Sequence, residues 1–156
     1  SGLFERRLHA ACRARGVDPT GRIHLLPKLD WRDYLALNRV ADVFLDGLTW
    51  SGGMTTLEAL AMDLVPVTLP GDTMRARHTA AILEHLEVTD TIASSVEAYV
   101  DLAVRLATDP AWRRSLQARL AAARPRLHED PRVIPALEDA LTDVIAAAAR
   151  QPARSA

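Results

Sequence analysis

Two short apolar runs, Val40-Ala-Asp-Val-Phe-Leu45 and Leu64-Val-Pro-Val-Thr-Leu69, bracket the segment Asp46-Gly-Leu-Thr-Trp-Ser-Gly-Gly-Met-Thr-Thr-Leu-Glu-Ala-Leu-Ala-Met62. Runs this short and this rich in branched residues read as strands, and 55–62 reads as a helix. Strand, glycine-rich loop, helix, strand leaves few architectures open. It is the unit that aims unpaired backbone N–H groups and the positive end of a helix at an anion such as phosphate. Gly52 and Gly53 fall where the loop becomes the helix, and Thr55 and Thr56 stand in its first turn. Either threonine suits a phosphate contact or a helix cap. Glu58 sits one turn in, within reach of a sugar hydroxyl, and would otherwise be a first-turn acid favoured by the helix dipole.

The same alternation runs through most of the chain. The spacing predicts helices over 3–15, with Gly16 as the stop, and over 31–39, capped by Asp30. Short strands are expected at 22–26, 43–45, 65–69 and around Ile92. Further helices are expected over 74–86, from a Ser94/Glu97 capping box to 107, from the Asp109-Pro110 cap to 124, and over 132–150. This reads as α/β: a Rossmann-like parallel sheet with helices on both faces. The chain opens on a helix with no strand before it, so the expectation is a fold entered partway through a βαβ unit, lacking its first strand. Residues 1–150 read as one partial domain and 151–156 as a disordered tail.

Composition removes several function classes. A net charge of −1 gives no global attraction to nucleic acid or anionic membranes. No run approaches the roughly 18 apolar residues of a membrane span. The single cysteine, Cys12, has no internal disulfide partner and fits a reducing, cytoplasmic setting. The five histidines are scattered without metal-ligand spacing, so no metal is expected; no cofactor is expected either. Arg113, Arg114, Arg119, Arg124 and Arg126 form a cluster without an intervening acid, either a solvated face or a surface for an acidic partner.

Four blocks carry a resemblance: Arg22-Ile-His-Leu-Leu-Pro27, Ala41-Asp-Val-Phe-Leu-Asp46, Gly52-Gly-Met-Thr-Thr-Leu-Glu-Ala-Leu60, and Val67-Thr-Leu-Pro-Gly-Asp-Thr73 with Arg77 behind it. With these, residues 22–92 resemble the C-terminal catalytic lobe of the O-linked N-acetylglucosaminyltransferase and SPINDLY glycosyltransferases, most of all the bacterial type that joins this lobe to tetratricopeptide repeats. The resemblance implies the nucleotide-sugar-binding lobe of a GT-B enzyme that transfers a sugar to protein Ser/Thr hydroxyls. UDP-N-acetylglucosamine would be the donor substrate, with GDP-fucose as the family's other choice.

It further implies that Gly52, Gly53, Met54, Thr55 and Thr56 form the diphosphate turn and that Glu58 binds the ribose. Tyr34 would stack on the uracil, and a backbone group of Leu29 would read the base edge. Apart from the resemblance, Arg75 and Arg77 follow the Pro70-Gly71 turn, where either could neutralise a diphosphate or simply begin a surface helix. The animal enzymes carry a histidine where Gly53 stands and a lysine where Trp31 stands. The family's acid/base groups lie upstream of this segment, so no catalytic residue is assigned. The protein acceptor would be held through an N-terminal lobe and repeats beyond this chain. Two other readings stay open: a non-catalytic binding or scaffold module, and a nucleotide-sugar epimerase of related fold.

Overall fold

A computed structural model describes residues 2–128 and 130–149; the tail expected at 151–156 lies outside them. The chain divides into two compact units, 1–36 and 37–156.

The first unit holds α1 (Gly2–Arg13) and the beginning of α2 (Trp31–Val40). Gly16 adopts φ +72 after α1, and the N–H of Val17 returns to the Cys12 carbonyl. This left-handed closure satisfies carbonyls at the helix end and is the stop expected of a glycine there. Asp30 caps α2 through a 2.9 Å bond from the Asp33 N–H. The strand expected at 22–26 does not form: these residues pair with no other segment among the described residues, and Leu25 and Leu26 are exposed. An extended segment becomes a strand when a neighbour takes up its N–H and C=O groups.

The second unit carries the sheet. β1 (Phe44–Leu45) lies parallel to β2 (Pro66–Val67), with Phe44 opposite Pro66 and Leu45 opposite Val67. Thr68 then makes a parallel bridge to Ile92, the third position expected in the sheet. Parallel neighbours require a crossover, and α3 (Met54–Ala61) supplies it between β1 and β2. The core gathers Val65 and Val67 of the sheet region, Leu60 of α3, and Leu83 of α4 (His78–His85). Leu106 of α5 (Val96–Thr108) and Leu116 and Leu120 of α6 (Pro110–Ala123) join it. Each of these leucines is almost fully buried, a contribution of about 1.5–3 kcal/mol apiece.

Two helices begin differently from expectation. The helix expected over 74–86 is broken into a 3-10 turn, Met74–Ala76, and α4. The carbonyls of Arg75 and Ala76 accept bonds from the N–H groups of Ser51 and Gly71, so they are diverted from an α-helical ladder. At α5 the cap is Ser95, whose hydroxyl accepts from the Ala98 N–H, in place of the Ser94/Glu97 box. Asp109 caps α6 as expected, taking the Trp112 N–H ahead of Pro110. The last helix, α7 (Val133–Ala149), presents exposed apolar side chains.

The arginine cluster is largely spent inside the chain. Arg113 pairs with Asp42, Arg119 with Asp90, Arg124 with Asp63 and Arg126 with Glu87. Arg124 also donates to the Leu60 and Ala61 carbonyls, closing the C-terminal end of α3. A cation there complements the helix dipole.

Candidate functional site: the turn before α3

Asp46 comes directly after β1 and organises the loop that leads into α3. Its side chain is buried, yet it accepts three hydrogen bonds: Oδ1 from the Gly52 N–H at 2.7 Å, and Oδ2 from the hydroxyls of Ser51 and Thr68, each at 2.7 Å. A buried carboxylate is tolerable only when its lone pairs are occupied in this way. Ser51 Oγ in turn accepts the Thr79 N–H at 2.9 Å. Thr56 donates its hydroxyl to the Gly52 carbonyl at 2.9 Å and lies 2.7 Å from the Thr79 hydroxyl. From α5, the Tyr99 hydroxyl donates to the Asp46 carbonyl at 2.9 Å, and burial together with the Asp46 charge pushes its phenol above the ordinary value. The turn is thus tied to β1, β2, α4 and α5 at once.

Tied from behind, the turn has an open front. The N–H groups of Gly53, Met54 and Thr55 find no acceptor among the described residues, whereas those of Thr56 and Leu57 close on the Gly53 carbonyl. These are the orphan donors of a helix start. They border a cavity of about 400 Å³ lined by Phe44, Asp46, Gly47, Trp50, Ser51, Gly52, Gly53, Met54 and Thr55. Trp50 and Met54 stand at its rim, 70% and 69% exposed. The Arg75 guanidinium lies over the Trp50 ring, 5.7 Å from its centre, bringing a cation toward this rim.

The two glycines differ. A Cβ on Gly52 would come within 2.6 Å of Thr56 Oγ1 and 2.7 Å of Thr55 Oγ1. Glycine is needed there for close approach. At Gly53 the nearest atom would be His78 Nδ1 at 3.8 Å, an ordinary contact.

Of the residues named from sequence, Gly52, Gly53, Met54 and Thr55 line this one cavity. Thr55 is exposed, but Thr56 is fully buried with its hydroxyl held by the turn. Of the two threonines, the structure therefore presents Thr55 and turns Thr56 inward. Glu58 is half-buried on α3. Arg77 is exposed at the start of α4, and its guanidinium donates to the Gly71 carbonyl at 3.2 Å. Leu29 and Tyr34, both half-buried, belong to the first unit, where the Tyr34 N–H donates to the Asp30 carbonyl. Sequence reasoning gave no role to Asp46, Ser51, Thr68 or Thr79. The available signal was an acid closing an apolar strand, with hydroxyl residues clustered around the glycines.

Among the described residues, no group of three or more His, Cys, Asp or Glu side chains is arranged to hold a metal ion. No described helix is long and apolar enough to cross a membrane.

A parallel strand, a glycine turn and a helix packed across it define a Rossmann-like α/β lobe. The chain belongs to glycosyl transferase family 41, whose model matches residues 3–128. It is 29% identical over 120 residues to the UDP-N-acetylglucosamine–peptide N-acetylglucosaminyltransferase of Caenorhabditis elegans, covering 77% of this chain and 10% of that protein. Among solved structures it is similar to a lysine-to-methionine mutant of the Thermobaculum terrenum O-GlcNAc transferase, with 34% identity and a TM-score of 0.76. That match covers 90% of this chain and 27% of the other. The fold is therefore that of a family 41 glycosyltransferase lobe, and the chain spans about a tenth and a quarter of these two relatives' lengths.

Proposed function

We propose that this chain is the nucleotide-sugar-binding lobe of a glycosyltransferase that moves N-acetylglucosamine from UDP-N-acetylglucosamine to Ser/Thr hydroxyls of proteins. The observation that carries the reading is the turn at 53–55, whose open N–H groups face a cavity in a chain of family 41. The names of the relatives support the donor and the protein acceptor.

In this reading the donor's diphosphate lies against the N–H groups of Gly53, Met54 and Thr55, with Gly52 allowing close approach and the Thr55 hydroxyl adding a contact. Thr56 keeps the turn in shape from behind. As the glycosidic bond to the diphosphate lengthens, negative charge grows on the leaving group. Donors already aimed at it strengthen their hold as that charge develops, which lowers the barrier. One such donor is typically worth roughly 3 kcal/mol of transition-state stabilisation. Arg75 or Arg77 offsets further charge, and Glu58 accepts from the ribose hydroxyls. Transfer then proceeds without a metal. The acid/base groups and the acceptor site belong to parts of the protein beyond this chain, an N-terminal lobe and repeats, and the setting is cytoplasmic.

Calorimetric titration of the folded chain with UDP, and separately with GDP, tests the reading. Saturable UDP binding in preference to GDP supports it. Absence of UDP binding at millimolar concentration, with the chain folded by circular dichroism, overturns it.

A further inference from the structure

We propose that His78 is a donor-binding residue whose imidazole meets the nucleotide diphosphate from the α4 side of the glycine turn. This deepens the function proposed above and rests on it.

A space lies beside Gly53 on the α4 side of the turn. That residue has φ −97, outside the left-handed region reserved for glycine, and a Cβ would fit there without a clash. The His78 ring borders that space, with Nδ1 3.8 Å from the Cβ position. A second cavity of about 330 Å³, lined by Gly53, Leu57, His78, Ala81 and Ile82, opens there. Gly53 also lines the cavity in front of the turn, so it is the wall that the two share. A position without a side chain separates an imidazole from a row of open N–H donors.

The ring itself is half-buried, and neither nitrogen has a hydrogen-bond or ionic partner among the described residues. Its backbone surroundings, by contrast, are fixed: the next residue, Thr79, donates its N–H to Ser51 Oγ and holds this end of α4 against the turn. The ring is thus positioned relative to the turn with its polar atoms unused.

Charge decides the chemistry. An imidazole ordinarily titrates near pH 6.5. The other walls of the cavity, from the turn, α3 and α4, carry no titratable group. Charged groups beside it along the chain and the network are Arg77, which precedes the ring, Glu58, which follows the wall residue Leu57 on α3, and buried Asp46, joined to Ser51 and through it to Thr79. Their signs are mixed, so a bound diphosphate would be the decisive addition. An anion beside the ring favours its protonated form. By linkage, protonation tightens the anion by the same factor. The backbone donors give a constant hold, and His78 adds one that grows as pH falls.

The experiment measures binding of UDP-N-acetylglucosamine to the whole chain by calorimetry from pH 8 to pH 5.5. This ligand is chosen because its diphosphate is esterified at both ends and has no proton to exchange in that range, unlike the terminal phosphate of UDP. Wild-type affinity should rise about tenfold as pH falls, the size of a charge-assisted hydrogen bond. His78→Gln should flatten the profile while leaving measurable affinity at pH 8. On the wild-type chain, the His78 imidazole resonances should show a titration midpoint that moves up when the ligand is bound. Binding that is independent of pH, or equally dependent in His78→Gln, overturns the role of His78 and leaves the donor site standing. An unmoved midpoint in the saturated wild type does the same without any variant. No binding at any pH overturns the donor site and this inference together.

Discussion

The N–H of Gly52 donates to Oδ1 of Asp46 across 2.7 Å, linking the glycine turn to the residue that closes the strand before it. The carboxylate that takes this bond also holds Ser51 and Thr68. The position of the turn therefore depends on a charge that is itself hidden from solvent.

Asp46→Ala should be among the costlier single changes in the chain. It strands the Gly52 N–H and two hydroxyls, and an unsatisfied buried donor costs about 1–3 kcal/mol. A loss of about 3 kcal/mol in urea unfolding is expected, with about 1 kcal/mol for Asp46→Asn, whose carbonyl oxygen still takes the Gly52 N–H. Equal stability of the alanine variant and the wild type would show that the network contributes nothing.

The adjacent glycines should respond differently. Gly52→Ala drives a methyl group into both threonine hydroxyls and should cost about 1–3 kcal/mol, the range for overpacking, with weaker UDP binding. Gly53→Ala meets its nearest atom at 3.8 Å and should leave thermal unfolding nearly unchanged. Reversed sensitivities would mean that the turn has been read in the wrong register.

The two threonines separate binding from stability. Thr55→Ala should lower UDP affinity severalfold at unchanged stability, because its side chain is exposed at the cavity. Thr56→Val removes a buried hydroxyl that donates to Gly52, so it should cost about 1–2 kcal/mol in stability. Calorimetry and chemical denaturation on the two proteins decide; a purely binding effect at Thr56 contradicts the geometry.

Glu58→Ala tests the ribose contact. Loss of a charged hydrogen-bond acceptor should weaken UDP by about 1.5–3 kcal/mol, one to two powers of ten in affinity. Alanine is a strong helix former, so α3 should persist. Unchanged affinity in a folded variant would remove Glu58 from the site.

Ahead of α7, Asp130 is held down to about pKa 2, first by the hydrogen bond from the Arg132 side chain. A carboxyl group depressed below its unfolded value near 3.8 contributes stability that is present above that value. The contribution is lost as pH falls from about 4 through about 2. In Arg132→Ala, the Asp130 carboxyl resonance should titrate close to 3.8 instead; a midpoint still near 2 would exclude the guanidinium as the cause.

How much of this was legible in the sequence depends on where each partner lies. Asp109-Pro110 announced its cap because donor and acceptor are three residues apart, and Gly16 announced a helix stop because the constraint is its own backbone angle. The glycine turn was readable for the same local reason. The break at Arg77 was not: the apolar spacing of 74–86 is continuous, and the Arg75 carbonyl is taken by Ser51, some 24 positions earlier. Likewise Asp46 looks like an ordinary acid closing a strand until Thr68, 22 positions away, and Tyr99, 53 positions away, arrive on it. Ser94 and Ser95 are equivalent by composition, and the register of α5 chose between them.

The web joining Asp46, Ser51, Thr56, Thr68 and Thr79 has a consequence for how this segment can vary through descent. Each side chain holds its neighbour's hydrogen or lone pair, so the penalty for changing one depends on the state of the others. Substitutions here are epistatic by construction. The first loss is severe, and the second is cheaper because its partner has already gone. These five positions should therefore be inherited as a single character, replaced together or kept together, while the exposed rim side chains of Trp50 and Met54 vary independently of them.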